Sequence, residues 1–328
     1  MPANLPPDYF ASEKRYRGAK TCVEKIACLE EMLTIMPKHK GTDKLRADLR
    51  KRISKLKSAA QSKKTLGRHD SAFRIDREGA GQVVVIGPAN VGKSALVASL
   101  TNATPEVADF PYTTWSATPG MMPVENIQIQ LIDTPALSRD YVKAEFMDLI
   151  RRADLVLLML DLKNGPLKQL EDAIALLEEH RIVPQHLQDA YKEQRGFTFL
   201  PFFVLANKCD DQDSEETFEI FCKLVGDDWT PVSASVTLGR NLEVLKQRLV
   251  EGLRIIRVYS KSPGKKPDYT TPFVLKRGST VADFAGRIHK DFLERFKAAR
   301  VWGVSVFDGQ MVQRDHVLQD GDVVELRI

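Results

Sequence analysis

The stretch Gly87-Pro-Ala-Asn-Val-Gly-Lys-Ser94 constrains this chain more than any other. It follows an apolar run at residues 83–86 and opens a helical pattern over 93–100. The spacing is GxxxxGK[ST] in full. Glycines let the backbone curl until its N–H groups converge, and a helix N-terminus adds positive potential. Such a cup fits a chain of phosphates. Residues Gly87, Pro88, Ala89, Asn90, Val91, Gly92, Lys93, Ser94 and Ala95 are therefore expected to bind a nucleotide. Lys93 is placed on the β- and γ-phosphates and the Ser94 hydroxyl on Mg²⁺. A plain glycine turn is the competing reading, and the strand–loop–helix context argues against it.

Beyond Gln82 apolar strands alternate with amphipathic helices. Residues 83–86, 127–132, 155–160, 202–206 and 229–232 read as strands; 93–100, 142–150, 167–180, 214–224 and 242–253 read as helices. Strands apolar on both faces and separated by helices predict an α/β domain with a mostly parallel, doubly covered sheet. Right-handed crossovers then gather the ligand loops at the carboxyl ends of the strands.

Three further motifs fall at such ends. Asn207-Lys-Cys-Asp210 closes the strand at 202–206. A carboxylate there can accept from guanine N1–H and the exocyclic amine, whereas adenine would leave Asp210 unpaired. Asn207 would tie this loop to the phosphate loop, with Lys208 between the two. Ser233-Ala234-Ser235 follows the next strand and completes the expected base pocket. Asp133-Thr-Pro-Ala136 ends the strand at 127–132, where a carboxylate suits a water-mediated Mg²⁺ contact. Between the phosphate loop and Asp133 lies Ala108-Asp-Phe-Pro-Tyr-Thr-Thr114, in which one hydroxyl is expected to coordinate Mg²⁺ and fold over the γ-phosphate. An ordinary Thr-rich loop is the alternative there.

The flanks differ in texture. Residues 12–62 carry apolar positions at helical steps (Cys22, Ile26, Leu29, Leu33, then Leu45, Leu49, Ile53, Leu56), interrupted by Pro37 and Gly41. A helical hairpin is the simplest fold for them. Residues 1–80 hold 19 Lys/Arg against 10 Asp/Glu, a local +9 that leaves −5 for the remainder of a chain of net charge +4. Either a polyanion binds this arm or the charges are a solvated helical face. Residues 261–269 read as a linker, and 270–328 as a small α+β unit: strand 273–276, helix 281–296, strands 301–307 and 323–328. In that unit Arg300 and Trp302 could stack on a base, or Trp302 could be core. The expected division is thus an arm at 1–80, a phosphate-loop domain at 81–260, the linker, and the tail unit.

Composition excludes other classes. Four cysteines (Cys22, Cys28, Cys209, Cys222) form no CxxC pair and lack zinc spacing, which fits free thiols in a cytoplasmic protein. The first ten residues show no leader pattern. The longest apolar run, 155–160, is far below the roughly 20 residues of a membrane span, so no membrane partner is expected.

Taken in order, these motifs resemble the Obg–HflX-like GTPases. The stretch Ala108-Asp-Phe-Pro-Tyr-Thr-Thr-Trp with Pro119-Gly120 is similar to the switch of Obg and of the developmentally regulated GTP-binding proteins. The segment Pro37-Lys-His-Lys-Gly-Thr-Asp-Lys-Leu-Arg-Ala-Asp-Leu resembles their helical arm. Gly278-Ser-Thr-Val-Ala-Asp-Phe, Phe307-Asp-Gly-Gln, Arg314-Asp-His-Val-Leu and Asp320-Gly-Asp-Val-Val-Glu resemble their TGS domain, a ubiquitin-like β-grasp. The likeness runs from about Lys38 to Ile328.

The resemblance implies a GTP-binding, GTP-hydrolysing switch of slow intrinsic turnover, associated with the ribosome or RNA. The alternative is a nucleotide-gated module that binds a regulatory protein partner with little hydrolysis. It implies Thr114 as the magnesium ligand, with Thr113 in reserve, so that Lys93, Thr114 and Asp133 form the catalytic set. Asn90 stands where relatives stimulated by potassium carry asparagine, which implies a K⁺ ligand; a local turn contact is the plain alternative. Two residues depart from the common pattern. Ala136 replaces a glycine, and Leu137 stands where many GTPases have glutamine, as in the family. The 74 positions from Asp133 to Asn207 leave room only for a small insertion, around 184–196.

Overall fold

The computed structural model describes residues 12, 15–16, 22–36, 49, 51, 73–102, 116–139, 142–304 and 306–327. The chain divides into two compact units, Met1–Ala72 and Phe73–Ile328. In the first, helix α1 (Cys22–Ile35) buries Leu29 and Met32, and Met36 and helical Leu49 join the same cluster. Tyr16, Leu33 and Ile35 pack against it. The expected turn at Pro37 and Gly41, and the basic stretch up to residue 72, lie outside the described residues.

The second unit begins with β1 (Gln82–Ile86), buried along its whole length, and α2 (Lys93–Leu100). A hairpin follows, β2 (Thr118–Val124) and β3 (Ile127–Asp133). Then come α3 (Ala144–Arg152), β4 (Leu155–Asp161) and α4 (Pro166–Glu179). A parallel pair, β5 (Ile182–Pro184) and β6 (Thr198–Leu200), brackets a short helical stretch where the small insertion was expected. The domain closes with β7 (Phe202–Asn207), α5 (Gln212–Val225), β8 (Val232–Ser233) and α6 (Leu242–Leu253).

Strand order is β2-β3-β1-β4-β7-β8, parallel except for β2 against β3. The chain therefore crosses in opposite directions on either side of β1, which opens a crevice at its carboxyl end. Val83, Val85, Leu131, Leu155 and Leu157 meet Leu96, Val97, Leu245 and Leu249 in one core. The intervening Val84, Ile86, Ile132, Val156 and Leu158 are equally buried, as a doubly covered sheet requires.

The C-terminal sheet has the order β10-β9-β13-β11-β12. Its members are β9 (Ile255–Ser260), β10 (Phe273–Lys276), β11 (Ala298–Trp302), β12 (Gln310–Val312) and β13 (Val323–Arg327). Helices α7 (Val281–Ile288) and α8 (Lys290–Glu294) connect β10 to β11. Phe284 on α7 is fully buried in the core of this sheet with Val258, Val301 and Val324. A reciprocal cap starts α7: Thr280 N–H donates to Asp283 Oδ2 (2.7 Å), and Asp283 N–H to Thr280 Oγ1 (3.4 Å).

Three expectations need correction. The phosphate-loop domain does not extend to residue 260. β9 pairs with β10 and β13, so the C-terminal sheet starts at Ile255, directly after a left-handed Arg254. The expected linker is likewise tied in, since Lys261 N–H donates to Val324 O (2.9 Å). The single helix expected at 281–296 breaks at His289, whose extended backbone (φ −164°) ends α7 and whose ring caps α8.

The β2–β3 hairpin joins the two sheets. Its ladder runs from Thr118 opposite Asp133 to Val124 opposite Ile127. At its tip Glu125 pairs with Arg257 of β9, and the Asn126 amide donates to the Tyr259 hydroxyl (2.9 Å) and the Tyr269 carbonyl (3.3 Å). Arg257 also binds Asp320 (2.8 Å). Glu125 is 69% exposed, so its share is small. Arg257→Ala, which removes the ion pairs to both Glu125 and Asp320 and leaves Asp320 only the backbone N–H of residue 257 (2.7 Å), is expected to lower the free energy of unfolding by about 1–2 kcal/mol and Glu125→Ala by under about 0.5 kcal/mol, read from urea denaturation.

Candidate nucleotide-binding site

The loop between β1 and α2 is shaped by three backbone positions. Asn90 (φ 61°) and Gly92 (φ 97°) are left-handed, and Gly87 (φ 148°) takes a conformation side chains rarely adopt. Lys93 begins α2 almost buried. Its ammonium donates to Gly87 O (3.0 Å) and Pro88 O (2.7 Å), so it lies back along the loop. Burial pulls this ammonium down to about 8, with Asp133 opposing. An anion in the loop would give that charge a partner better than two carbonyls.

Ser94 and Asp133 meet: the Ser94 hydroxyl donates to Asp133 Oδ2 at 2.6 Å. Asp133 is fully buried, and among the described residues its Oδ1 has no hydrogen-bond partner. Burial raises this carboxyl above the ordinary carboxylate range, with the Ser94 hydroxyl and Lys93 opposing. A buried, unpaired carboxylate oxygen beside a hydroxyl fits a hard cation that shares its shell with phosphate and water. Among the described residues no three His, Cys, Asp or Glu converge as a self-sufficient metal site. Thr113 and Thr114 lie outside the described residues.

The stretch after Asp133 is fastened to the same loop. The Thr134 hydroxyl donates to Val85 O (2.6 Å) and Leu137 N–H to Gly87 O (2.9 Å). Ala136 and Leu137 are both buried, so Leu137 offers its backbone to the loop and its side chain to the core.

Asn207, at the end of β7, is 4% exposed. Its Nδ2 donates to Val91 O (2.8 Å), and its Oδ1 accepts from Val236 N–H (3.2 Å). One amide thus joins the phosphate loop, β7 and the segment after β8, as the sequence predicted for the first of these. Asp210 Oδ1 accepts from the Ser235 hydroxyl (2.7 Å) and Oδ2 from Lys163 Nζ (3.0 Å). Those bonds, Ser235 first, hold its carboxyl below the ordinary range. Ser233 and Ala234 sit beside this loop; Ala234 O accepts from Cys209 N–H (3.0 Å). Lys208 Nζ pairs with Asp161 Oδ2 (2.6 Å). Asp161 and Lys163 escaped the sequence reading. Their signal was a charged Asp-Leu-Lys-Asn turn closing the most apolar strand, next to β7.

Trp302 is neither free nor core: it is half-buried, with the Lys261 ammonium 4.4 Å from its ring centre. Among the described residues Cys28, Cys209 and Cys222 are free thiols, and no helix is long and apolar enough to cross a membrane.

Two family models match the chain: a 50S ribosome-binding GTPase over residues 82–189 and a TGS domain over residues 256–328. An uncharacterised GTP-binding protein of Methanocaldococcus jannaschii is 32% identical, covering 93% of this chain and 92% of that protein. Human developmentally-regulated GTP-binding protein 2 is 24% identical, with 93% and 98% covered. Among solved structures, the YchF GTPase of Schizosaccharomyces pombe matches with a TM-score of 0.53 at 14% identity, over 77% of this chain and 99% of that one; the likeness is one of fold.

Asn207→Ala would orphan Val91 O and Val236 N–H together. The variant is expected to lose about 2 kcal/mol of stability and to bind fluorescent GDP at least roughly tenfold more weakly, by thermal melt and titration.

Proposed function

The chain belongs to the Obg-like GTPases of the developmentally regulated GTP-binding protein type, with a C-terminal TGS domain, and from that premise we propose that it binds and hydrolyses GTP as a conformational switch that docks on the ribosome. The observation that carries the reading is the buried Ser94–Asp133 pair with its unpartnered carboxylate oxygen, set against the phosphate loop.

In this reading the amides of residues 87–95 hold the phosphates, and Lys93 turns from Gly87 O and Pro88 O onto the β- and γ-oxygens. Ser94 and Thr114 would hold Mg²⁺ directly and Asp133 through water. Held there, magnesium would supply positive charge to the phosphate oxygens. Asp210 selects guanine, Ser235 holds it, and Asn207 keeps the base loop in register with the phosphate loop. Leu137 has no side-chain donor, so the attacking water is oriented by backbone groups or by a docked partner. Asn90 is exposed on the loop rim and is proposed to help hold K⁺, which would add transition-state charge.

Ribosome or RNA docking draws support from the matched 50S ribosome-binding GTPase family and from the +9 balance of residues 1–80. The buried Leu137 favours a second reading, a nucleotide-gated protein-binding module with almost no turnover.

Single-turnover phosphate release separates the two. The switch reading expects hydrolysis that needs Mg²⁺, runs faster in KCl than in NaCl, and is lost in Lys93→Ala; tight GTP binding without release of phosphate would favour the module. Co-sedimentation with ribosomes is expected to be stronger with a non-hydrolysable GTP analogue than with GDP and to weaken steeply with salt, and nucleotide-independent pelleting would argue against switching.

A further inference from the structure

The turn that follows β4 belongs to none of the motifs above, yet its side chains hold the base-reading loop at two points. Asp161 is the last residue of β4 and pairs in register with Asn207 of β7. Its side chain is 4% exposed. Oδ1 accepts from Lys163 N–H (2.9 Å), while Oδ2 accepts from Lys208 Nζ (2.6 Å) and Asn164 Nδ2 (2.6 Å). The turn is itself braced by Gln169, which accepts from Asp161 N–H (3.0 Å) and donates to the carbonyls of Asp161 (3.0 Å) and Asn164 (2.9 Å). From the same turn Lys163 reaches Asp210.

Stability alone is a poor reason for this arrangement. A buried ion pair repays little of its desolvation, and apolar replacements of equal volume are commonly neutral or better. A pair does fix direction, and Lys208 needs fixing. It is a non-glycine residue at φ 67°, a backbone state that persists only where its surroundings over-determine it. It also stands between Asn207, fastened to the phosphate loop, and Asp210, the carboxylate proposed above to read the base. Anchoring its head group sets the path of the backbone between them.

We infer that Asp161 is a positioning residue for base recognition: by clamping Lys208 it sets the aim of the Asp210 carboxylate at guanine. The inference rests on the guanine-reading role of Asp210, and the experiment is chosen to keep the two apart.

Asp161→Asn keeps the volume and an acceptor for Lys163 N–H but turns away the Lys208 ammonium. Lys208→Met keeps the stem and removes the head. Release of fluorescent GDP and IDP from the full chain is measured by stopped flow in Mg²⁺ for wild type, both variants and the double variant, with thermal melts in parallel. IDP lacks the 2-amino group, so wild type is expected to release it faster than GDP. Asp161→Asn is expected to release GDP roughly tenfold faster and to narrow the difference between IDP and GDP. Lys208→Met should do the same, and the double variant should be no worse than Lys208→Met alone. An unchanged IDP-to-GDP ratio in Asp161→Asn, whatever its melting temperature, overturns the inference, as do effects that multiply in the double variant. Should Asp161→Asn not fold, Lys208→Met decides alone, since an unchanged ratio there is equally fatal. A wild type that binds ADP as tightly as GDP brings down the guanine reading itself, and the inference with it.

Discussion

Everything at the nucleotide site depends on one crowded passage of backbone. Between β1 and α2 the chain must reverse while pressed against two neighbours. A Cβ at Gly87 would lie 2.2 Å from the Met159 carbonyl, and one at Gly92 would lie 2.8 Å from Asn207 Nδ2. Both positions also need dihedrals that L side chains resist. The third unusual position goes to asparagine, among the non-glycine residues that most readily turn left-handed. The neighbours are there because of strand order: β4 and β7 succeed β1 in the sheet, so Met159 and Asn207 arrive on the same side of the crevice. Topology makes the space, and glycine is what fits it.

The same logic joins the site to the C-terminal sheet. β3 ends on Asp133, which meets Ser94 of the phosphate loop, so one end of the hairpin lies against that loop. The other end is held by Arg257, Tyr259 and the Tyr269 carbonyl. Between them Met122, Ile129 and Leu131 are fully buried. A slip of one residue would turn these apolar side chains to the opposite face, so the register is strongly fixed. The two sheets therefore share an element that resists local adjustment. That is a mechanical requirement for any switch whose docking surface lies on one domain and whose nucleotide lies in the other.

Much of this was legible in the chain, and the failures have physical causes. The loop and α2 follow from local chemistry, and Lys93–Leu100 emerged with the expected bounds. β2 was not among the strands expected: Pro119, Gly120 and Pro123 interrupt its apolar pattern, and an edge strand tolerates proline where the absent N–H faces outward. Residues 255–260 were left in the phosphate-loop domain because they follow α6 with a single residue between, as the next element of an α/β domain would. The partner of β9, β13, lies more than sixty residues downstream, and no local pattern reports such pairing. β11 stops at Trp302 rather than running to Phe307. Gly303 there packs so tightly that a Cβ would come 1.8 Å from Asp322 Oδ1, a tertiary constraint invisible in an apolar run.

The base loop shows where motif reading ends. Four residues named the donors and acceptors that can read guanine, because hydrogen-bonding capacity is a property of residue type. What they did not name is the brace. Aim is a property of position, and the atoms that set it come from elsewhere: Val91 and Val236 on Asn207, Ser235 and Lys163 on Asp210, Asp161 on Lys208. Of these, only the Ser235 segment and the tie to the phosphate loop were foreseeable, since both sit in recognisable motifs. Asp161 looks in sequence like the ordinary polar end of a buried strand. Its burial at the junction of β4 and β7 changes that: a carboxylate removed from water needs compensating partners, and the cation that supplies one is Lys208 of the Asn207–Asp210 motif.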